Sequence, residues 1–142
     1  MSMSAHMTVR DVMTPDPVCC DAHATIAEAA QLMRDQGIGD VLVEQDGRLL
    51  GLVTDRDIVI RALAEGRDAS TSLDSVCTQD PVVLEPDASV QQAVELMRSM
   101  AIRRLPVVEK GRPVGIVSIG DLALELDERS ALADISAAEP DV

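Results

Sequence analysis

Two hydrophobic rhythms alternate along the chain. In "TIAEAAQLMR" the apolar residues Ile26, Ala29, Ala30 and Met33 recur at i, i+3, i+4 and i+7, the stripe of a helix with one buried face. Thr25 and, three residues on, Glu28 supply a capping box for its start. After Gly37, "DVLVEQDGRLLGLVT" reads as two strands around Asp46 and Gly47, a dipeptide that favours a tight hairpin. The second strand passes into another helix from Asp55 to about Glu65, with Gly66 as its stop signal. A short extended piece, "PVCC", precedes the first helix. The predicted unit is strand, helix, strand, strand, helix.

The chain then writes this unit again. Val9 to Ile60 lies over Leu73 to Leu124 without a gap, every matched position differing by 64 (73 − 9). "MTPDPV" falls on "CTQDPV", "TIAEAAQLMR" on "SVQQAVELMR" and "QDGRLLGLVTDRD" on "EKGRPVGIVSIGD"; about a third of the pairs are identical. Ser89 and Gln92 repeat the capping box, Val90, Ala93, Val94 and Met97 the stripe, and Lys110 with Gly111 the hairpin. "PVVLEP" is the second extended piece, and the last helix begins near Ile119. Two copies are too few for a solenoid, so they are expected to close on each other. The copies span residues 9–66 and 73–127, joined by the polar "EGRDASTS". Residues 128–142 form an acidic, Ala-rich tail, read as a weak helix or disorder.

Composition narrows the possibilities. Of the 142 residues 46% are hydrophobic, yet Phe, Tyr and Trp are absent, so the core must be built from Val, Leu, Ile, Met and Ala. A net charge of −13 opposes a nucleic-acid partner, because phosphate binding draws on Lys and Arg, and there is no aromatic platform for single strands. No apolar run approaches the roughly 18 residues of a membrane span, and "MSMSAHMTV" lacks the layout of a secretory signal. A cytosolic protein is expected. The three cysteines, Cys19, Cys20 and Cys77, are odd in number and lack C-x-x-C spacing, which fits reduced thiols. Cys19 and Cys20 match Val83 and Leu84 of the second copy and read as buried apolar thiols, a redox response being the alternative. His6 and His23 have no acid or Cys at ligand spacing, so no metal site is expected. No grouping supports a nucleophile. The acids of "DLALELDERS" read as a solvated helix face.

One polar cluster recurs where each last strand stops. "GLVTDRDI" (Gly51 to Ile58) and "GIVSIGDL" (Gly115 to Leu122) align Gly51 with Gly115, Thr54 with Ser118 and Asp57 with Asp121. A hydroxyl followed three residues later by an acid is a helix capping box, and that account suffices on structural grounds. The same place, a helix start at a strand's carboxyl end, also suits a phosphate, while an Asp there can accept two ribose hydroxyls. Arg56 would add a positive charge in the first copy; its counterpart Gly120 adds none.

Together, "VMTPDPV", "IGDVLVEQDGRLLGLVTDRDI" and "IRRLPVVEKGRPVGIVSIGDL" resemble a tandem pair of cystathionine-beta-synthase (CBS) domains, the Bateman module, over about Val9 to Asp127. The resemblance implies an α/β (α+β) fold of two pseudo-symmetric β-α-β-β-α repeats packed sheet to sheet. It also implies adenosyl-ligand sites in which Asp57 and Asp121 hold ribose hydroxyls while Thr54 and Ser118 contact ribose or phosphate. Adenine would lie against Val18, Cys19 and Ile38, Gly39 and Asp40 in the first copy, and against Val82, Val83 and Ile102, Arg103 and Arg104 in the second. Arg103 and Arg104 suit a phosphate and Gly39 and Asp40 do not, so the two sites should differ. No further domain fits in the remaining residues, which implies a stand-alone pair. A homodimer through the helices is the family's habit.

These readings predict a non-catalytic sensor of an adenine nucleotide, requiring no cofactor, with an unspecified protein target. AMP, ADP, ATP, NAD and S-adenosylmethionine share the adenosyl part that the motif reads. The alternative is a structural or interaction module in which both motifs serve only as caps, and a third class is an enzyme acting on nucleotides.

Overall fold

A computed structural model describes residues 7–125; His6 and the tail 128–142 lie outside the described residues. In chain order the elements are α1 (Val9–Val12), β1 (Thr14–Pro15), β2 (Cys19–Asp21), α2 (Ile26–Gln36), β3 (Asp40–Gln45), β4 (Arg48–Thr54) and α3 (Asp55–Asp57), which continues into a wider π-helical stretch (Ile58–Leu63). A 3₁₀ turn (Leu73–Ser75), β5 (Thr78–Gln79), α4 (Val90–Met100), β6 (Arg104–Glu109) and β7 (Arg112–Ser118) follow. A further helix, α5, is described over 119–125.

Local chemistry explains most of these boundaries. Thr25 and Ser89 accept from the backbone N–H groups of Glu28 and Gln92, and those side chains reach back to the cap N–H, so both long helices start on a closed capping box. Asp46 and Gly47, like Lys110 and Gly111, all have positive φ, between 53° and 81°. Two consecutive residues with positive φ are what a two-residue hairpin turn requires of a right-twisted strand pair. The helix expected from Asp55 instead widens after its first turn: the Ala64 N–H donates to the carbonyl of Val59, five residues back, at 2.8 Å. That wider turn keeps Ala62 wholly buried while Arg61 reaches the carbonyl of Val76 at 3.3 Å.

The described residues form two sheets, ordered β2-β3-β4-β5 and β1-β7-β6. Each contains one hairpin of its own half plus an edge strand contributed by the other half. β5 of the second copy pairs antiparallel with β4, Gly51 facing Gln79, and β1 of the first copy pairs antiparallel with β7, Gly115 facing Pro15. In the second copy the parallel first strand is reduced to a single bridge between Leu84 and Val107.

The core obeys the same exchange. Beneath α2 the buried cluster of Ile26, Ala29, Met33, Val41, Val43 and Val53 is completed by Leu73 and Val76 from the second copy. Beneath α4, Val90, Ala93, Met97, Leu105, Val107 and Val117 enclose Val9 from the first. Packing without aromatic residues works because short aliphatic side chains let two thin layers approach through β4 and β7.

Candidate functional site

Both strand-end clusters sit at a strand-to-helix junction. At the end of β4 the Thr54 N–H donates to the Asp57 carboxylate at 3.0 Å, and the Asp57 N–H donates to the Thr54 hydroxyl at 3.0 Å. At the end of β7 the Ser118 N–H donates to Asp121, and the Asp121 N–H to the Ser118 hydroxyl, each at 3.1 Å. One carboxylate oxygen of each Asp is thus engaged by backbone. The second oxygen of Asp57 lies 3.7 Å from the Arg61 guanidinium, and the side chain is 18% exposed. Arg56 is exposed.

The start of the preceding hairpin strand is held against each junction. The Asp55 N–H donates to the carbonyl of Gly39 at 2.9 Å, and the Ile119 N–H to that of Arg103 at 2.8 Å. Across the ladder, Asp40 faces Thr54 and Arg104 faces Ser118. Asp40 and Arg104 occupy matched positions of the two copies, and here they meet: the guanidinium of Arg104 contacts the Asp40 carboxylate at 2.5 Å. Asp40 is buried, 8% exposed, whereas the Arg104 side chain is 43% exposed. Burial lifts the Asp40 carboxyl above its usual range, Arg104 draws it back down, and Asp55 pushes it up again. The charge pair therefore ties one strand end to the other across the boundary between the halves.

Beside this pair lies a cleft of about 270 Å³. Val18, Ile38, Val41 and Leu42 give it an apolar wall, Asp40 and Arg104 a polar end, and Thr14 on the crossing strand β1, Asp16 just past that strand and Ile116 on β7 close it. Of the residues assigned to adenine in the first copy, Val18, Ile38 and Asp40 line this cleft; Cys19 and Gly39 do not, and neither do Thr54 and Asp57. Thr54 is one strand away, across the ladder from Asp40. The Cys19 thiol donates to the carbonyl of Pro17 at 3.4 Å, and burial, with Glu44 second, pushes it up to about 11. In the second copy Val82 and Ile102 pack half-buried against the core under α4, and Arg103 is exposed. Val83 is 37% exposed and lines a separate groove with Glu85, Gln92 and Leu96.

Sequence reasoning missed Thr14, Asp16 and Ile116. They reach the cleft only because β1 crosses to the other half, and a two-residue strand carries no periodic signal. The repeat of "TPDP" as "TQDP" was the available hint that this segment had a structural duty.

Among the described residues no three His, Cys, Asp or Glu side chains gather as a metal-holding set, and no helix is long and apolar enough to cross a membrane.

The model of the CBS domain matches the chain twice, over residues 9–63 and 73–128. The CBS domain-containing protein YhcV of Bacillus subtilis is 40% identical over 133 residues, 91% of this chain and 95% of that protein. The crystal structure of Hypoxic Response Protein I with two coordinated zinc ions is 38% identical, with a TM-score of 0.76 over 83% of this chain and 98% of that one. The CBS domain pair of protein MJ0100, solved with 5-methylthioadenosine and S-adenosyl-L-methionine, is 25% identical, with a TM-score of 0.76 over 87% and 98%.

Proposed function

Because the chain belongs to the CBS domain family, with two copies of the domain, we propose that it is a non-catalytic cytosolic sensor binding an adenosyl nucleotide or a related adenosyl ligand between its halves. The observation that carries this reading is the junction of the first copy. An apolar cleft wide enough for part of a small ligand ends in a charge pair, one strand from a hydroxyl and a carboxylate at a helix start. Val18 and Ile38 offer flat apolar contact to a base. Thr54 and Asp57 offer a donor and acceptors to a ribose, at the cost of opening their mutual cap. Ser118 and Asp121 repeat the cap in the second copy, with Arg104 across the ladder from Ser118 and the Arg103 carbonyl held by the Ile119 N–H. The pair from MJ0100, of the same fold, carries two adenosyl compounds.

The output of such a sensor would be its assembly. Each half presents an apolar groove between its two helices, lined by Ala30, Met33, Ile58 and Val59 in one and by Val94, Met97, Ile119 and Leu122 in the other. Leu63 and Leu124 beside them are 69% and 65% exposed. A second copy of the chain would cover these faces, and Leu63→Glu should then shift the mass measured by light scattering towards the monomer.

Thermal unfolding with adenosine, AMP, ATP and S-adenosylmethionine, set against GMP, tests the ligand. A ligand bound only to the native state raises stability by about 2.7 kcal/mol at a hundredfold excess over its dissociation constant. Asp57→Ala or Asp121→Ala should remove the rise. One observation favours a second reading: both boxes are closed, as pure caps would be. Under that reading each Asp variant loses about 1 kcal/mol of stability and no ligand shifts any protein.

A further inference from the structure

Resting on the nucleotide reading above, we propose that Asp40 is a specificity residue: by holding Arg104 it makes the cleft beside Val18 and Ile38 select an uncharged or cationic adenosyl ligand over a phosphorylated one. Arg104 is the guanidinium that lines this cleft, and its charge is spent on the Asp40 carboxylate at 2.5 Å. The other ionisable lining group is Asp16, a second carboxylate. Asp55 stands close to the same strand start, its carboxylate 3.3 Å from where a side chain on Gly39 would begin. A phosphate entering here meets an acidic surround and a cation that is already committed. To gain Arg104 it must leave Asp40, 8% exposed, as a buried carboxylate without its partner. A neutral nucleoside, or a cationic sulfonium, asks for no such exchange.

The pair occupies matched positions of the two copies, and there the copies differ in sign: an acid on β3 faces Thr54, and a base on β6 faces Ser118. The selection therefore applies to the first copy's cleft. Arg104 freed from Asp40 would reverse it.

Calorimetric titration of adenosine and AMP into wild type, Asp40→Asn and Asp40→Asn/Arg104→Gln tests the proposal. Asn keeps the shape of Asp and removes its charge. Wild type should prefer adenosine. Asp40→Asn should raise the AMP-to-adenosine affinity ratio by about ten- to hundredfold, the span of one charge-assisted hydrogen bond, and the added Arg104→Gln should cancel that gain. An unchanged ratio in Asp40→Asn, with adenosine still bound, overturns the proposal while leaving the nucleotide reading intact. A gain that survives Arg104→Gln overturns the part assigned to Arg104. Binding of neither ligand to any of the three proteins overturns the proposal, and the nucleotide reading falls with it only when ATP and S-adenosylmethionine also fail to shift unfolding.

Discussion

Gly51 opens the repeated strand-end motif, and the structure gives it a duty that can be weighed in energy. A methyl group placed on Gly51 would lie 2.4 Å from the carbonyl oxygen of Thr78 and 2.9 Å from the Cys77 sulfur. Both belong to the segment that crosses from the second half to pair with β4. Ordinary contact begins at 3.4 Å, so the crossing backbone would have to retreat by about 1 Å. Overpacking of this kind costs typically 1–3 kcal/mol, and a backbone neighbour that carries ladder hydrogen bonds places Gly51→Ala at the upper end. Against this stands the roughly 0.5–1 kcal/mol that Ala gains over Gly inside a strand. The net loss is about 2 kcal/mol, or about 8 °C of melting temperature for a chain of this length. Gly115 is the internal control. Its methyl would meet the Met13 sulfur at 2.4 Å, the mobile end of a side chain, with the Thr14 carbonyl at 3.0 Å. Met13 can rotate away, so Gly115→Ala should lose less than about 1 kcal/mol. Urea unfolding followed by far-ultraviolet circular dichroism suits a protein without aromatic residues. If Gly51→Ala were as stable as wild type, or no worse than Gly115→Ala, the crossing strand would not be what this glycine serves.

Two further outcomes follow from burial at the junction. The Asp40 carboxyl sits above its usual 3.8, chiefly through burial; a folded-state pKa above the unfolded one means that the native protein holds this proton more tightly, so the contribution of Asp40 to stability is fullest below about pH 4 and is lost as pH rises through the raised pKa. Urea titrations should therefore show Asp40→Asn gaining on wild type between pH 4 and pH 7, and a gap that moves the other way contradicts the assignment. Burial likewise raises all three thiols, Cys19 to about 11. At neutral pH iodoacetamide should label native protein far more slowly than protein in urea; a thiol labelled equally fast in both would show that burial does not govern its reactivity.

How much of this was legible in the sequence depended on how far apart the interacting residues are. The hairpins could be read because Asp46-Gly47 and Lys110-Gly111 answer a local demand for positive φ. The long helices could be read because their stripes and capping boxes lie within one or two turns. The π-helical widening at Ile58–Leu63 could not, since a hydrogen bond one residue longer leaves the apolar pattern nearly unchanged. The crossing of β1 and β5 was hidden for another reason: two-residue strands gain their stability from partners about a hundred and about thirty positions away (116 − 14; 78 − 52), which no local window contains. The cleft inherits that limit. Val18, Ile38 and Asp40 were within reach of family resemblance, whereas the closing of the cleft by Asp16 and Ile116, and the capture of Arg104 by Asp40, required the halves to be assembled.

The exchange of leading segments constrains how any signal could leave this molecule. Leu73 and Val76 are buried in the first half's core and Val9 in the second's. Separating the halves would strip each core of side chains that together bury several apolar groups, each worth about 1.5–3 kcal/mol, which approaches the whole stability of an ordinary domain. A ligand in the cleft cannot supply that difference at ordinary affinities. The halves therefore stay joined, and the polar groups outside the exchanged segments are the Asp40–Arg104 pair and the caps at Thr54 and Ser118, from which the helices α3 and α5 begin. Since α3 leads into Ile58 and Val59, and α5 carries Leu122, a sensor of the kind proposed would carry a rearrangement of either cap to an apolar helix groove. The path from the strand end to the outer face is then one helix long.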